Sequence, residues 1–64
     1  MRTIITLNDK RISQKYAASL FGKDKLDEML RELKAKYIED PSMYGIHEGM
    51  YIVNRRDCVE INFE

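Results

Sequence analysis

The chain has 64 residues, a single cysteine, and eleven Lys and Arg against eleven Asp and Glu, so its formal net charge is zero. One domain of this length, 1–64, buries only about 60% of its unfolded surface, and the lone Cys58 excludes an intrachain disulfide, so we expect a homodimer or a complex with another protein to add stability. The unpaired thiol favours a reducing, cytoplasmic setting, and the sequence has neither a signal-peptide pattern nor an apolar run of about 20 residues that would span a membrane.

The first predicted element is a β-strand at 2–7, a segment rich in Ile and Thr. Alternation along a strand gives this segment two sides. One side carries Thr3, Ile5 and Leu7, and the other carries Arg2, Ile4 and Thr6. Asn8 and Asp9 end the strand and can cap the next element.

Two helical patterns come next. The first covers 12–21, where Ile12, Tyr16 and Leu20 step by four. The second covers 24–39 and is the strongest pattern in the chain, with apolar residues at i, i+3, i+4, i+7 and i+11. These residues are Leu26, Met29, Leu30, Leu33 and Tyr37.

The two apolar stripes lie about a third of a turn apart on one continuous helix, so a single straight helix could not bury both. We therefore predict two helices, with Gly22 as the C-cap of the first and Asp24 as the N-cap of the second. Pro41 ends the second helix near Glu39 or Asp40, because proline disfavours helical geometry in the residue before it.

The last third of the chain has strand character. Ser42 to Ile46 is a candidate short strand, 47–49 a turn, 50–53 a strand, 54–57 a polar turn and 58–63 a final strand. In the final strand Val59, Ile61 and Phe63 alternate with polar residues, as in a half-buried antiparallel strand. The chain is therefore predicted to be a small single α+β domain of order β-α-α-β-β, with one further strand as an alternative, in which helices cover one face of an antiparallel sheet.

No motif predicts catalysis. His47 is the only histidine and stands next to Glu48, so a base or ligand role can be imagined, but no second ligand or nucleophile has a recognisable spacing to it. Cys58 would need a base nearby to act as a nucleophile, and an incidental thiol is the simpler interpretation. Without a CxxC pair, a histidine cluster or a Gly-rich loop, we expect no enzyme, no metal and no cofactor.

Two features indicate protein binding instead. One is a Met- and Tyr-rich cluster with two arginines beyond it, since Met and Tyr are enriched at interface cores, although half of the cluster could instead pack on the helices. Its members are Met43, Tyr44, Ile46, Met50, Tyr51, Arg55 and Arg56. The other is the 2–7 strand, which as a sheet edge would lack protection by proline or repeated charge. We interpret the chain as a non-catalytic regulatory or inhibitory protein, of the small accessory kind that phages and mobile elements often encode.

The first half also supports an alternative. With 2–7 as a ribbon, Ala18 to Gly22 as the end of one helix, and Asp24 and Met29 in the next, it resembles the ribbon-helix-helix transcriptional regulators and antitoxins. The resemblance implies a dimer of paired ribbons that places Arg2, Ile4 and Thr6 against DNA. Residues 42–64 have no counterpart in the simplest form of that family. A winged-helix arrangement with Arg55 and Arg56 at the wing tip is a further nucleic-acid-binding alternative.

Overall fold

A computed structural model of the chain describes residues 2–44 and 48–64. The elements in chain order are β1 (Thr3–Leu7), β2 (Lys10–Ile12), α1 (Gln14–Phe21), α2 (Lys23–Glu39), β3 (Met50–Val53) and β4 (Asp57–Phe63). The strands form one antiparallel sheet in the order β2-β1-β4-β3, and the two helices pack on one of its faces. The predicted α+β class is confirmed. Within the described ranges, neither helix has the length and apolar character of a membrane span.

The core lies between this face of the sheet and the helices. Its buried residues come from every layer: Ile5, Ala17, Leu26, Leu33, Val59, Ile61 and Phe63. The predicted stripe of the long helix and the predicted alternation of the last strand both face this core, because each presents an apolar residue at the period of its own backbone. In the part of the chain that the structure describes, the opposite side of the sheet carries no helix, and we call it the open face.

The predicted start of the first helix is wrong. Residues 10–12 form β2, which pairs with β1 through Ile5↔Ile12 and Leu7↔Lys10. Asn8 and Asp9 both have positive φ, 50° and 70°, which is the two-residue turn that folds one strand back on another. The helix begins after Ser13, whose side chain accepts a hydrogen bond from the Tyr16 N–H.

The two helices are separate, as predicted, but share one capping residue. Gly22 has φ +90° and both ends α1 and precedes α2, a conformation that side chains rarely adopt. The prediction that Asp24 caps α2 is therefore wrong. Asp24 lies in the first turn of the helix, where a carboxylate is favourable beside the helix N-terminus.

The prediction that 2–7 is a sheet edge is also wrong. β1 is a central strand that pairs with β4 along its whole length and with β2 at Ile5 to Leu7. The edges of the sheet are β2 and β3. This strand order requires β1 to pair with β4, which lies near the other end of the chain. Local sequence patterns do not encode such a pairing.

The candidate strand at 42–46 is wrong in its described part. Residues 41–44 form a turn after α2, in which the Met43 N–H donates to the Asp40 carbonyl and the Ser42 hydroxyl donates to the Asp40 carboxylate. Gly45 and Ile46 lie outside the described residues.

Candidate functional site

Tyr44, predicted to bind a partner, packs on the helix side of the sheet. Its ring meets Tyr37 edge to face at 5.5 Å and Phe63 at 5.6 Å between centroids. Its hydroxyl donates a 2.6 Å hydrogen bond to the Ile61 carbonyl, and burial raises the pKa of this phenol to about 12. These contacts hold the turn after α2 against the central strand β4.

Tyr51 also points toward the helices. Its ring packs edge to face on Phe21 at 5.9 Å. Burial, followed by the nearby Glu48 carboxylate, raises the pKa of the Tyr51 hydroxyl. Glu48 itself accepts a hydrogen bond at 3.1 Å from the Lys36 ammonium, which raises the pKa of that ammonium.

The remaining members of the predicted cluster do not form one surface with the two tyrosines. Met43 is exposed and lines a shallow pocket of about 320 Å³ beside Lys36 and Tyr44. Met50 is exposed on the opposite, open face of the sheet. Arg55 and Arg56 are exposed in the turn between β3 and β4, and Ile46 lies outside the described residues.

The orientation of the β3 backbone follows from the pairing of its neighbour β4. The Asn8 N–H donates to the Cys58 carbonyl, and Arg2 and Glu64 exchange both of their backbone hydrogen bonds, so the even-numbered residues of β4 direct their N–H and C=O groups toward β1. The odd-numbered ones therefore direct theirs toward β3, because successive residues of a strand alternate.

The register between the two strands then fixes which β3 residues are paired. Tyr51 lies opposite Val59, and Val53 lies opposite Asp57, so the backbone groups of Tyr51 and Val53 are used within the sheet. The N–H and C=O groups of Met50 and Ile52 point outward, away from β4. Within 2–44 and 48–64 no strand pairs with these two residues on this side of β3, which we call the β3 edge.

The side chains at the β3 edge are apolar and unusually open to solvent. Ile52 is 68% exposed and Met50 is 49% exposed. Proline and charged residues usually keep an edge strand from pairing with another chain. Met50–Val53 contains neither.

A groove runs along the β3 edge on its helix side. It measures about 360 Å³ and is lined by Phe21, Lys25, Met29, Tyr51, Ile52 and Val53. Its walls are mostly apolar, and Lys25 contributes one ammonium. A strand added beside β3 would direct alternate side chains into this groove and onto the open face.

The open face carries the residues of the DNA-binding alternative. Arg2 forms an ion pair with Glu64, which lowers the pKa of that carboxyl. Ile4 lies opposite Asn62, and Thr6 lies opposite Glu60. All the aromatic rings of β3 and β4 lie on the helix side, so these strands offer no stacking platform for bases. The β1 ribbon is already flanked by strands of its own chain, which differs from the dimeric ribbon that the resemblance implies.

The two residues weighed for catalysis are not brought together by described contacts. Cys58 is half-buried on the open face, where its backbone N–H donates to the Asn8 side chain at 2.9 Å. His47 lies outside the described residues. Within 2–44 and 48–64, no three His, Cys, Asp or Glu side chains converge in a way that could hold a metal ion.

Sequence reasoning identifies the β3 segment but misses the residues that give it an accessible edge. It assigns no binding role to Ile52 or to the groove residues Phe21 and Lys25, and it places Met29 only in helix patterns. The alternation of Met50 and Ile52 with Tyr51 and Val53 is a usable signal for two different faces. Comparison with protein-family models, curated proteins and solved structures finds no match to this chain.

Proposed function

We propose that this chain is a non-catalytic regulatory or inhibitory protein that binds another protein by pairing the β3 edge with an extended segment of its partner. The observation that carries the proposal is the outward backbone of Met50 and Ile52, together with the 68% exposure of Ile52, the highest among the large hydrophobic side chains of residues 2–44 and 48–64. An edge of this kind supplies hydrogen bonds for affinity, and the side chains around it supply selectivity.

The helix-side groove supports the same function. A partner strand would place one of its apolar side chains against Phe21, Met29 and Tyr51, while its neighbours would lie beside Met50 and Ile52 on the open face. Burial of such an anchor contributes most of the binding free energy in small interfaces.

The test uses Ile52→Lys as the edge variant and Ile38→Lys as its matched control. Both side chains are exposed to a similar extent, 68% and 65%, but Ile38 lies on α2 and is not among the residues that line the groove beside the β3 edge. We expect both variants to keep the wild-type circular dichroism spectrum. A charge on the edge strand should block strand addition.

The partner is captured from a host lysate on immobilised wild-type chain and then purified for binding measurements. We expect Ile52→Lys to weaken its binding by about 1–3 kcal/mol, about 5- to 150-fold, and Ile38→Lys to leave it unchanged. Equal affinity of the partner for all three proteins would contradict the proposal.

A further inference from the structure

The β3 edge is complementary to itself. Because Met50 and Ile52 both direct an N–H and a C=O outward, two copies of β3 can pair antiparallel about a twofold axis. In the register that places Met50 opposite Ile52 of the second copy, both outward residues of each copy are used, which gives four hydrogen bonds.

Other registers use the edge less fully. Placing Met50 opposite Met50 leaves Ile52 facing Glu48, which lies outside the strand, and placing Ile52 opposite Ile52 leaves Met50 facing Asn54. Asn54 has φ +53° and belongs to the turn, so its backbone is not extended. A shift by a single residue would direct paired groups away from one another and exchange the two faces.

The side chains suit the same register. On the open face, Met50 and Ile52 of each copy lie beside Ile52 and Met50 of the other, so the exposed apolar side chains cover one another. On the helix side, the two Tyr51 residues lie directly opposite each other, next to the grooves. Aromatic and aliphatic cross-strand pairs of this kind stabilise a sheet.

Charge also favours a second copy. Arg55 and Arg56 follow the Val53 end of β3, where they outnumber Asp57, the cross-strand neighbour of Val53, and Lys25 lines the groove beside the strand. Glu60 is the cross-strand neighbour of Met50 and gives this end its negative charge, whereas the nearby Glu48 is already paired with Lys36. Antiparallel pairing brings the basic end of one copy to the acidic end of the other.

The other edge of the sheet ends the assembly at two copies. β2 has three residues, and its register leaves only Arg11 with outward backbone groups. Lys10 and Arg11 place positive charge along that edge, which opposes pairing with an identical edge. The pairing at β3 is therefore closed and isologous.

We propose that a second copy of this chain occupies the β3 edge, forming a continuous eight-stranded antiparallel sheet with Met50 opposite Ile52. This inference rests on the proposed use of the same edge for strand pairing, and it makes the free chain self-blocked. A partner strand must displace the second copy before it binds, so partner affinity falls as the concentration of the chain rises.

Oligomeric state is measured by sedimentation equilibrium from micromolar to submillimolar concentration. We expect the wild type to approach twice the chain mass of 7.6 kDa, and Ile52→Pro to remain at the single-chain mass with an unchanged circular dichroism spectrum. Proline at this position removes an outward N–H and no hydrogen bond to β4. A wild type that stays at the single-chain mass, or an Ile52→Pro variant that still dimerises, overturns the proposal.

The register is tested by disulfide formation in a Cys58→Ser background, which is needed because Ile52 faces Cys58 within the chain. A mixture of Met50→Cys and Ile52→Cys chains should cross-link under mild oxidation, since directly opposite Cα atoms lie about 5.5 Å apart. Each variant alone should not. Cross-linking of Met50→Cys with itself, or no cross-linking of the mixture, refutes the register.

Two combinations of results separate self-pairing at the β3 edge from partner binding there. A wild type that is monomeric, yet loses its partner on Ile52→Lys substitution, rejects the self-pairing and leaves partner binding in place. A dimer cross-linked in the expected register, whose captured partner binds Ile52→Lys as tightly as wild type, rejects the partner site and leaves the self-pairing in place.

Discussion

Gly49, immediately before β3, offers a quantitative test of how the strand is anchored. Its φ is +79°, and a Cβ built there would lie 2.5 Å from the Ile61 carbonyl oxygen and 2.7 Å from the Tyr44 hydroxyl oxygen. Both distances are too short for a methyl group, so Gly49→Ala must displace the Tyr44–Ile61 hydrogen bond as well as adopt an unfavourable backbone conformation.

The expected loss has two parts. The left-handed backbone costs about 1–2 kcal/mol for a residue with a Cβ, and loss of the hydrogen bond adds about 1 kcal/mol. The sum, about 2–3 kcal/mol, is a minimum because displacement of the Ile61 carbonyl adds to it, and it is already a large fraction of the roughly 3–10 kcal/mol expected for 64 residues. Urea unfolding followed by far-ultraviolet circular dichroism measures it, with an unchanged m-value expected.

Two comparisons separate the parts. Gly22→Ala is the backbone control, because Gly22 has φ +90° and, among the described residues, no atom beyond its neighbours in the chain lies within 4 Å of the position that a Cβ would take there. In a Tyr44→Phe background, Gly49→Ala should cost about 1 kcal/mol less than in the wild type, since the hydroxyl is already gone. A coupling free energy near zero between the Gly49 and Tyr44 substitutions would refute the reasoning.

Burial, titration and turn geometry each provide one further prediction. Leu26→Ala should lower the free energy of unfolding by about 3–5 kcal/mol, because Leu26 is 1% exposed, whereas Ile38→Ala should change it by less than about 0.5 kcal/mol in the same urea titration. Tyr44 keeps its proton in the folded state to about pH 12 instead of 10.0, so its contribution to stability is complete below pH 10 and is lost as pH rises toward 12. Over this range the unfolding free energy of the wild type should fall by up to about 2 kcal/mol more than that of Tyr44→Phe. Phenolate absorbance of the wild type should show one more late-titrating tyrosine than the variant, which retains Tyr51 with its raised pKa. Asn8→Ala should destabilise the protein by about 1–2 kcal/mol more than Asn54→Ala, because both have positive φ but only Asn8 uses its side chain to bond across to the last strand; equal losses by thermal unfolding would contradict this role.

The elements that sequence reasoning predicts well are those whose period is long or unambiguous. The stripe on α2 and the alternation on β4 each specify one buried face without knowledge of any partner. β2 is missed because it has only three residues, and Ile12 happens to lie four residues before Tyr16. Tyr16 proves to be 50% exposed, so this spacing reflects no common buried face.

The candidate site is predictable in position but not in its orientation. The Met50–Val53 segment reads as a strand, yet which of its residues are unpaired depends on β4 lying between β1 and β3. That order arises from pairing between residues more than 50 positions apart, such as Leu7 with Val59. Local propensity contains no information about it.

The pairing of β1 with β4 has a consequence for how the protein is made. β1 is synthesised first and β4 after every other element, so the two middle strands cannot join until translation has passed Phe63. Until then the nascent chain contains the Ile-rich strand β1 and the leucine-lined helix α2 without β4, the strand that both contact. The sheet is therefore completed only after β4 has been translated, and we expect chains stalled before Asp57 to lack the β1–β4 pairing.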